Sequence, residues 1–154
     1  MNYVSMMKDV TISIINSSSS KYQPVFELRD EVLRKPLGRS LKDEDMSRDH
    51  KNIIFIAEHE GKIIGCVLLE PIDHTTAQLR AMAVYNEWQG KGIGRMLVQA
   101  LEKYAWQNKY KKIILHARKV IHPFYLSMNY KITGEEFLEV GIPHFHMEKE
   151  TPNP

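Results

Sequence analysis

The apolar residues of this chain change their period at mid-sequence. A β-rich run, Thr76 to Val84, leads through Gln89-Gly90-Lys91-Gly92-Ile93-Gly94-Arg95 into Ile93, Met96, Leu97, Ala100, Leu101 and Tyr104, which recur at helical spacing. Arg95, Gln99, Glu102 and Lys103 fall on the opposite face, so the segment reads as an amphipathic helix. Lys112 to Ala117 is β-rich again, and a strand, helix, strand succession permits parallel pairing through a crossover. Upstream, Ile53 to His59 and Lys62 to Leu69 flank Glu60-Gly61, a hairpin signal because glycine readily takes positive φ. With Pro71 closing the second run and Thr76 to Val84 following, the pattern predicts an antiparallel meander. The expected class is mixed α/β (α+β), a mostly antiparallel sheet flanked by helices.

The chain has 154 residues, which fits one domain, 1–154, because domains run to roughly 100–200 residues. Its 21 basic and 19 acidic residues leave a formal charge of +2, too little to drive nucleic-acid binding by counterion release. Lys8 and Asp9 interrupt the apolar residues near the start, and no run approaches the ~20 residues needed to cross a bilayer. The expectation is a cytoplasmic protein with no membrane partner, monomer or homodimer. The lone Cys66 lies in an apolar run, where a small buried side chain and a nucleophile are both open readings. Thr11 to Ile15 predicts a first strand. Ser20 and Gln23 match a capping box for a helix over Tyr22 to Leu33, ended by Pro36 and Gly38. Ser40 to Lys51 reads as a charged loop or short helix. A short helix is expected around Ile121 to Met128, then strands near Tyr130 to Phe137 and Ile142 to Glu148, then a frayed tail from Thr151.

The glycine stretch carries the most chemistry. It joins a strand to the first turn of a helix, where backbone N–H groups lack intrahelical partners and the macrodipole adds partial positive charge. Glycines let a pyrophosphate approach the main chain, and Lys91 and Arg95 add mobile charge. A Walker A loop would need Lys and then Ser or Thr after its last glycine, but Arg95 and Met96 follow Gly94. A dinucleotide fingerprint would need G-x-G-x-x-G and a later acidic residue, yet no Asp or Glu occurs between Glu102 and Glu135. A turn that merely connects strand to helix is the plain alternative. Three glycines there lower helix propensity by ~1 kcal/mol for each interior one, which favours a purpose.

Gln89-Gly90-Lys91-Gly92-Ile93-Gly94 resembles the Q/R-x-x-G-x-G/A motif of the GNAT superfamily of N-acetyltransferases. Phe124-Tyr125 and Asn129-Tyr130 stand where that family often has Phe-Tyr and Gly-Phe pairs, and Gly141 to Met147 is similar to its ElaA-like branch. The resemblance implies a GNAT-like domain with a central splayed parallel pair, Thr76 to Val84 beside Lys112 to Ala117. It implies an acceptor-side half, 1–75, and an acetyl-CoA-binding half, 76–150. Met82, Ala83 and Val84 would pair with the pantetheine arm, and Gln89, Gly90, Lys91, Gly92, Ile93, Gly94 and Arg95 would hold the pyrophosphate. The implied reaction is direct attack of a primary amine on the thioester of acetyl-CoA in a ternary complex, with no metal.

Tyr125 matches the tyrosine that protonates the departing thiolate, against a plain reading as a core residue beside Phe124. Where some members place a glutamate base this chain has Gln78, so Glu70, His116 or a water chain would take the proton. His144 and His146 would share a strand face, with substrate contact or surface placement favoured over a metal pair. The acceptor would be a small-molecule or peptide amine, and Arg29 and Arg34 would attract an acidic group or simply be solvated. A different acyl donor or acceptor, or a noncatalytic coenzyme A sensor, are the competing functions.

Overall fold

The computed structural model describes residues 9–152; the chain start read for a leader, and the tail at 153–154, lie outside the described residues. Eight strands form one sheet: β1 (Val10–Ile15), β2 (Ile53–His59), β3 (Lys62–Pro71), β4 (Thr76–Val84), β5 (Lys112–Arg118), β6 (Lys131–Ile132), β7 (Phe137–Glu139) and β8 (Ile142–Glu150). Three α-helices accompany them: α1 (Tyr22–Arg29), α2 (Ile93–Gln107) and α3 (His122–Leu126). The strand order is β1-β2-β3-β4-β5-β8-β6, with β7 on β8. All pairings are antiparallel except β4 with β5, so the expected mixed sheet and its central parallel pair are both present.

The β2–β3 runs are continuously apolar because helices cover both faces of the sheet. Phe55, Ala57, Val67 and Leu69 pack with Leu97, Val98 and Leu101 of α2. Their neighbours in sequence, Ile54, Ile56, Cys66 and Leu68, pack with Val25 and Leu28 of α1 on the other side. Glu60 (φ 49°) and Gly61 (φ 77°) make the expected two-residue turn between His59 and Lys62.

Several local expectations are corrected. No capping box forms at Ser20: Lys21 is the N-cap without a side-chain cap, and Ser19 Oγ instead accepts from Lys21 N at 3.1 Å. The first helix does not stay α-helical to Leu33 but widens into a π turn over Asp30–Arg34. Pro36 then sits in a 3-10 turn closed by Gly38 at φ 69°. The strand expected over Tyr130 to Phe137 is broken at Gly134 (φ 83°), leaving only β6 and the start of β7. Glu102, read onto the polar face of α2, is buried, where Tyr130 donates to it at 2.8 Å and Lys149 at 3.0 Å. Thr151 is not frayed, since its N–H donates to Lys111 O at 2.9 Å. Among the described residues no helix is long and apolar enough to cross a membrane.

Candidate active site

Parallel strands β4 and β5 pair only over Thr76 to Gln78 and Lys112 to Ile114, then diverge. From there onward β4 turns unpaired backbone N–H and C=O groups toward the gap. A bulge lies at the same place. The β3–β4 register slips between Cys66 and Leu68, and Ala81 takes φ 54°, a left-handed conformation uncommon for a residue with a Cβ. One extra residue exchanges the two faces of a strand. Ala77 and Leu79 therefore pack on the α2 side, whereas beyond the bulge Ala81 and Ala83 pack on the α1 side and Met82 and Val84 return to α2. Before it, Gln78 and Arg80 face the α1 side of the cleft.

The divergence opens a cleft of about 960 Å³ that runs from the glycine turn to the π turn after α1. Of the residues expected to bind the cofactor, Met82, Ala83, Val84, Gln89, Gly90, Gly92, Ile93, Gly94 and Arg95 line it. Gly92 is the N-cap of α2 at φ 85°, which a Cβ would strain. The helical ladder begins with Met96 N–H to Gly92 O at 3.0 Å, so the N–H groups of Ile93, Gly94 and Arg95 precede it. Two residues play other parts. Lys91 does not line the cleft and lies with Nζ 5.7 Å from the Trp88 ring centroid. Gln89 Nε2 donates to Val84 O at 2.9 Å, pinning the turn to the strand end and occupying that carbonyl.

Tyr125 comes from α3 and is 5% exposed, with its hydroxyl 4.0 Å from Met82 Sδ. Burial pushes its pKa up, so the phenol keeps its proton. His116, on the α1-facing side of β5, has Nδ1 2.9 Å from Glu139 Oε1. Glu139 Oε2 lies 3.6 Å from Nε2 of the buried His144, whose Nδ1 is 2.8 Å from Ile142 O. All three residues line the cleft. Sequence reading missed Glu139; its signal was Val140-Gly141, a turn at φ 46° and 74° that folds β7 back on β8 and carries Glu139 to His116. His146 pairs with Glu148 instead, at 3.0 Å. Among the described residues no group of three or more His, Cys, Asp or Glu is placed to hold a metal ion.

Glu70 stands apart from the cleft lining. Arg48 engages both of its oxygens, with Nε at 3.0 and 2.8 Å and Nη2 at 2.6 Å from them, and this guanidinium holds the carboxyl below its ordinary range. A carboxylate so stabilised is a poor proton acceptor, which sets Glu70 behind His116. Arg29 and Arg34 are likewise occupied. Arg29 Nη1 donates to Asp49 at 2.7 Å, and Arg34 Nε donates to Glu44 at 2.6 Å. Asp49 also accepts from Tyr22 and from Arg80 at 3.0 Å. Burial raises its pKa, but the hydrogen bonds and charges around it outweigh that and hold it low. Cys66 is fully buried, and burial pushes its thiol up to about 12, which suits a packed side chain and not a nucleophile.

Residues 16–151 match the family model described as acetyltransferase (GNAT) domain. The chain is similar to the uncharacterized N-acetyltransferase YjcF of Bacillus subtilis (strain 168), 26% identical over 139 residues that span 90% of this chain and 99% of that one. Its fold is similar to that of Escherichia coli ElaA, with a TM-score of 0.80 at 19% identity over 92% of this chain and 99% of that one. A GNAT family acetyltransferase from Elizabethkingia anophelis, solved with acetyl-CoA bound, aligns with a TM-score of 0.68 at 21% identity over 93% and 99%. A family match of that extent, on a sheet that parts beside a glycine turn, places the chain in the GNAT family of acetyltransferases.

Proposed function

We propose that the chain transfers the acetyl group of acetyl-CoA to a primary amine by direct attack, as one domain whose residues 1–75 face the acceptor and 76–150 hold the cofactor. The parting of β4 from β5 beside the start of α2 carries this reading. A diphosphate at the turn is held by main-chain N–H groups of Ile93, Gly94 and Arg95 and by the positive end of the helix, and an amide-bearing arm pairs with the open edge of β4. The Elizabethkingia anophelis neighbour, solved with acetyl-CoA, has this fold and supports the choice of co-substrate.

The amine nitrogen attacks the thioester carbon, its C–N bond forms, the C–S bond breaks, and coenzyme A leaves as the thiolate, which takes up a proton from solvent. His116 takes the proton from nitrogen. Glu139, accepting from Nδ1–H, leaves Nε2 free for that proton. Main-chain N–H groups near Val84 face the developing oxyanion. Tyr125 donates a hydrogen bond to the departing sulfur. A thiol pKa of roughly 8.5 lies below that of a buried phenol, so Tyr125 stabilises the departing thiolate by a hydrogen bond and keeps its own proton.

Acetyl-CoA is expected to raise Tm in the unmodified protein, since it binds the native state alone. Gly92→Glu, which sets a carboxylate at the diphosphate, removes the shift, read by differential scanning fluorimetry. An unchanged shift counts against this pocket. Free thiol released with an amine panel distinguishes transfer from coenzyme A sensing, in which cofactor binds and no thiol appears above background.

A further inference from the structure

Arg118 ends β5 and lines the cleft. Its hydrogen bond runs from Nη2 to Leu33 O, 3.0 Å, and among the described residues no carboxylate is paired with it. Four other arginines of the cleft lining are paired with carboxylates, Arg29 and Arg80 sharing Asp49, Arg34 on Glu44 and Arg48 on Glu70, while Arg95, at the glycine turn, donates to Ser127 Oγ at 3.0 Å. Leu33 lies within the π turn, and its carbonyl accepts from Arg118 and also from Arg34 Nη1 at 3.2 Å. Two like charges thus converge on one oxygen. Burial, and then Arg34, pull the Arg118 pKa below its ordinary value, so this cation is held in surroundings that disfavour it until an anion arrives. Counting the carboxylates that pair with them, the six guanidinium groups of the cleft lining face four negative charges, those of Asp49, Glu44, Glu70 and Glu139. A balance of that sign opposes a polycationic acceptor and draws in an anionic one.

Resting on the transferase reading above, we propose that the acceptor is a small amine bearing a carboxylate, and that Arg118 receives the carboxylate. The guanidinium has five N–H donors, most of them still available beside the Leu33 bond, and its planar fork matches a carboxylate. His116 precedes it by two residues on the same face of β5, one strand repeat or about 7 Å along the chain. The proton acceptor and the carboxylate anchor are therefore spaced for an amine and a carboxylate a few covalent bonds apart. This places the specificity of the site on Arg118 and not on Arg29 or Arg34, whose donors face carboxylates of the chain itself.

The experiment compares amines that differ only in the carboxylate: amino acids against their carboxamides, with acetyl-CoA as donor. The acid is expected to be preferred in kcat/KM by about 10- to 100-fold, mostly through KM. Arg118→Gln brings that ratio toward one, and Arg118→Lys, which keeps the charge without the fork, retains part of it. Equal use of acid and amide by the unmodified protein overturns the assignment, as does an unchanged ratio in Arg118→Gln. Binding supplies a readout independent of turnover. With coenzyme A present, N-acetylated amino acids should raise Tm more than N-acetylated carboxamides, and this difference should vanish in Arg118→Gln; no difference in the unmodified protein also overturns it. Should acetyl-CoA fail to raise Tm at all, the transferase reading fails first, whereas a normal acetyl-CoA shift with no acid preference removes Arg118 alone.

Discussion

Tyr125 has an apolar role in packing and a proposed polar one in catalysis, and a single atom separates them. Its ring packs edge-on against Phe124 and Tyr130, with centroids 5.0 and 5.7 Å away, while among the described residues its hydroxyl has only Met82 Sδ, at 4.0 Å. Removing that oxygen breaks no strong hydrogen bond, so Tyr125→Phe is expected to keep its Tm and its acetyl-CoA shift. Turnover should fall about 100-fold, the lower range for losing one hydrogen-bond donor to developing charge, measured as steady-state thiol release. Unaltered turnover takes Tyr125 out of the mechanism. The residue stands out in the sequence because the local Phe124-Tyr125 pair resembles the family motif. Glu139 and Arg118 were not, because each acquires its meaning from a partner far away in the chain: His116 for one, Leu33 for the other.

Strand β3 and helix α2 meet at Gly65, where a side chain has little room. A Cβ at this position would lie 3.0 Å from Leu97 Cδ1, 3.2 Å from Ile93 Cγ2 and 3.3 Å from Ala83 O. Gly65→Ala should therefore destabilise by about 1–3 kcal/mol as an overpacked site, read by urea unfolding. Gly94→Ala is the contrast. Its Cβ would meet Met82 and Phe124 at an ordinary 3.6 Å, and alanine in a helix gains up to about 1 kcal/mol over glycine. Equal losses at the two positions would show that packing against α2 is not what holds Gly65. Periodicity revealed α2 and the meander, yet it could not reveal the π turn over Asp30–Arg34 or the bulge at Ala81, since each inserts one residue without changing composition. Glu102 likewise sits on the polar face by spacing and in the interior by contact, because Tyr130 and Lys149 arrive from other elements to satisfy it.

At the scale of the molecule, Asp49 ties the charged segment before β2 to α1 through Tyr22 and Arg29 and to β4 through Arg80. Its folded-state pKa is depressed, as is that of Glu70. The stability contributed by a depressed carboxyl is fully present above the unfolded value, near ~4, and is lost as pH falls through the folded one. Tm should accordingly hold near neutrality and drop in acid below about pH 4. Asp49→Asn leaves the buried Arg29 and the half-buried Arg80 short of their counter-charge, so it should lose about 3–5 kcal/mol at neutral pH and show a shallower acid limb. An acid limb as steep as the parent's would assign the acid sensitivity elsewhere. Sequence alone determined the class of fold and the order of strands and helices through the glycine turn, because periodicity and turn chemistry are local. Only the tertiary structure decided where β4 leaves β5, which way Met82 and Arg80 face, and which arginines of the cleft remain without a carboxylate. Those depend on register and on charges brought together across the sheet, and no spacing along the chain encodes them.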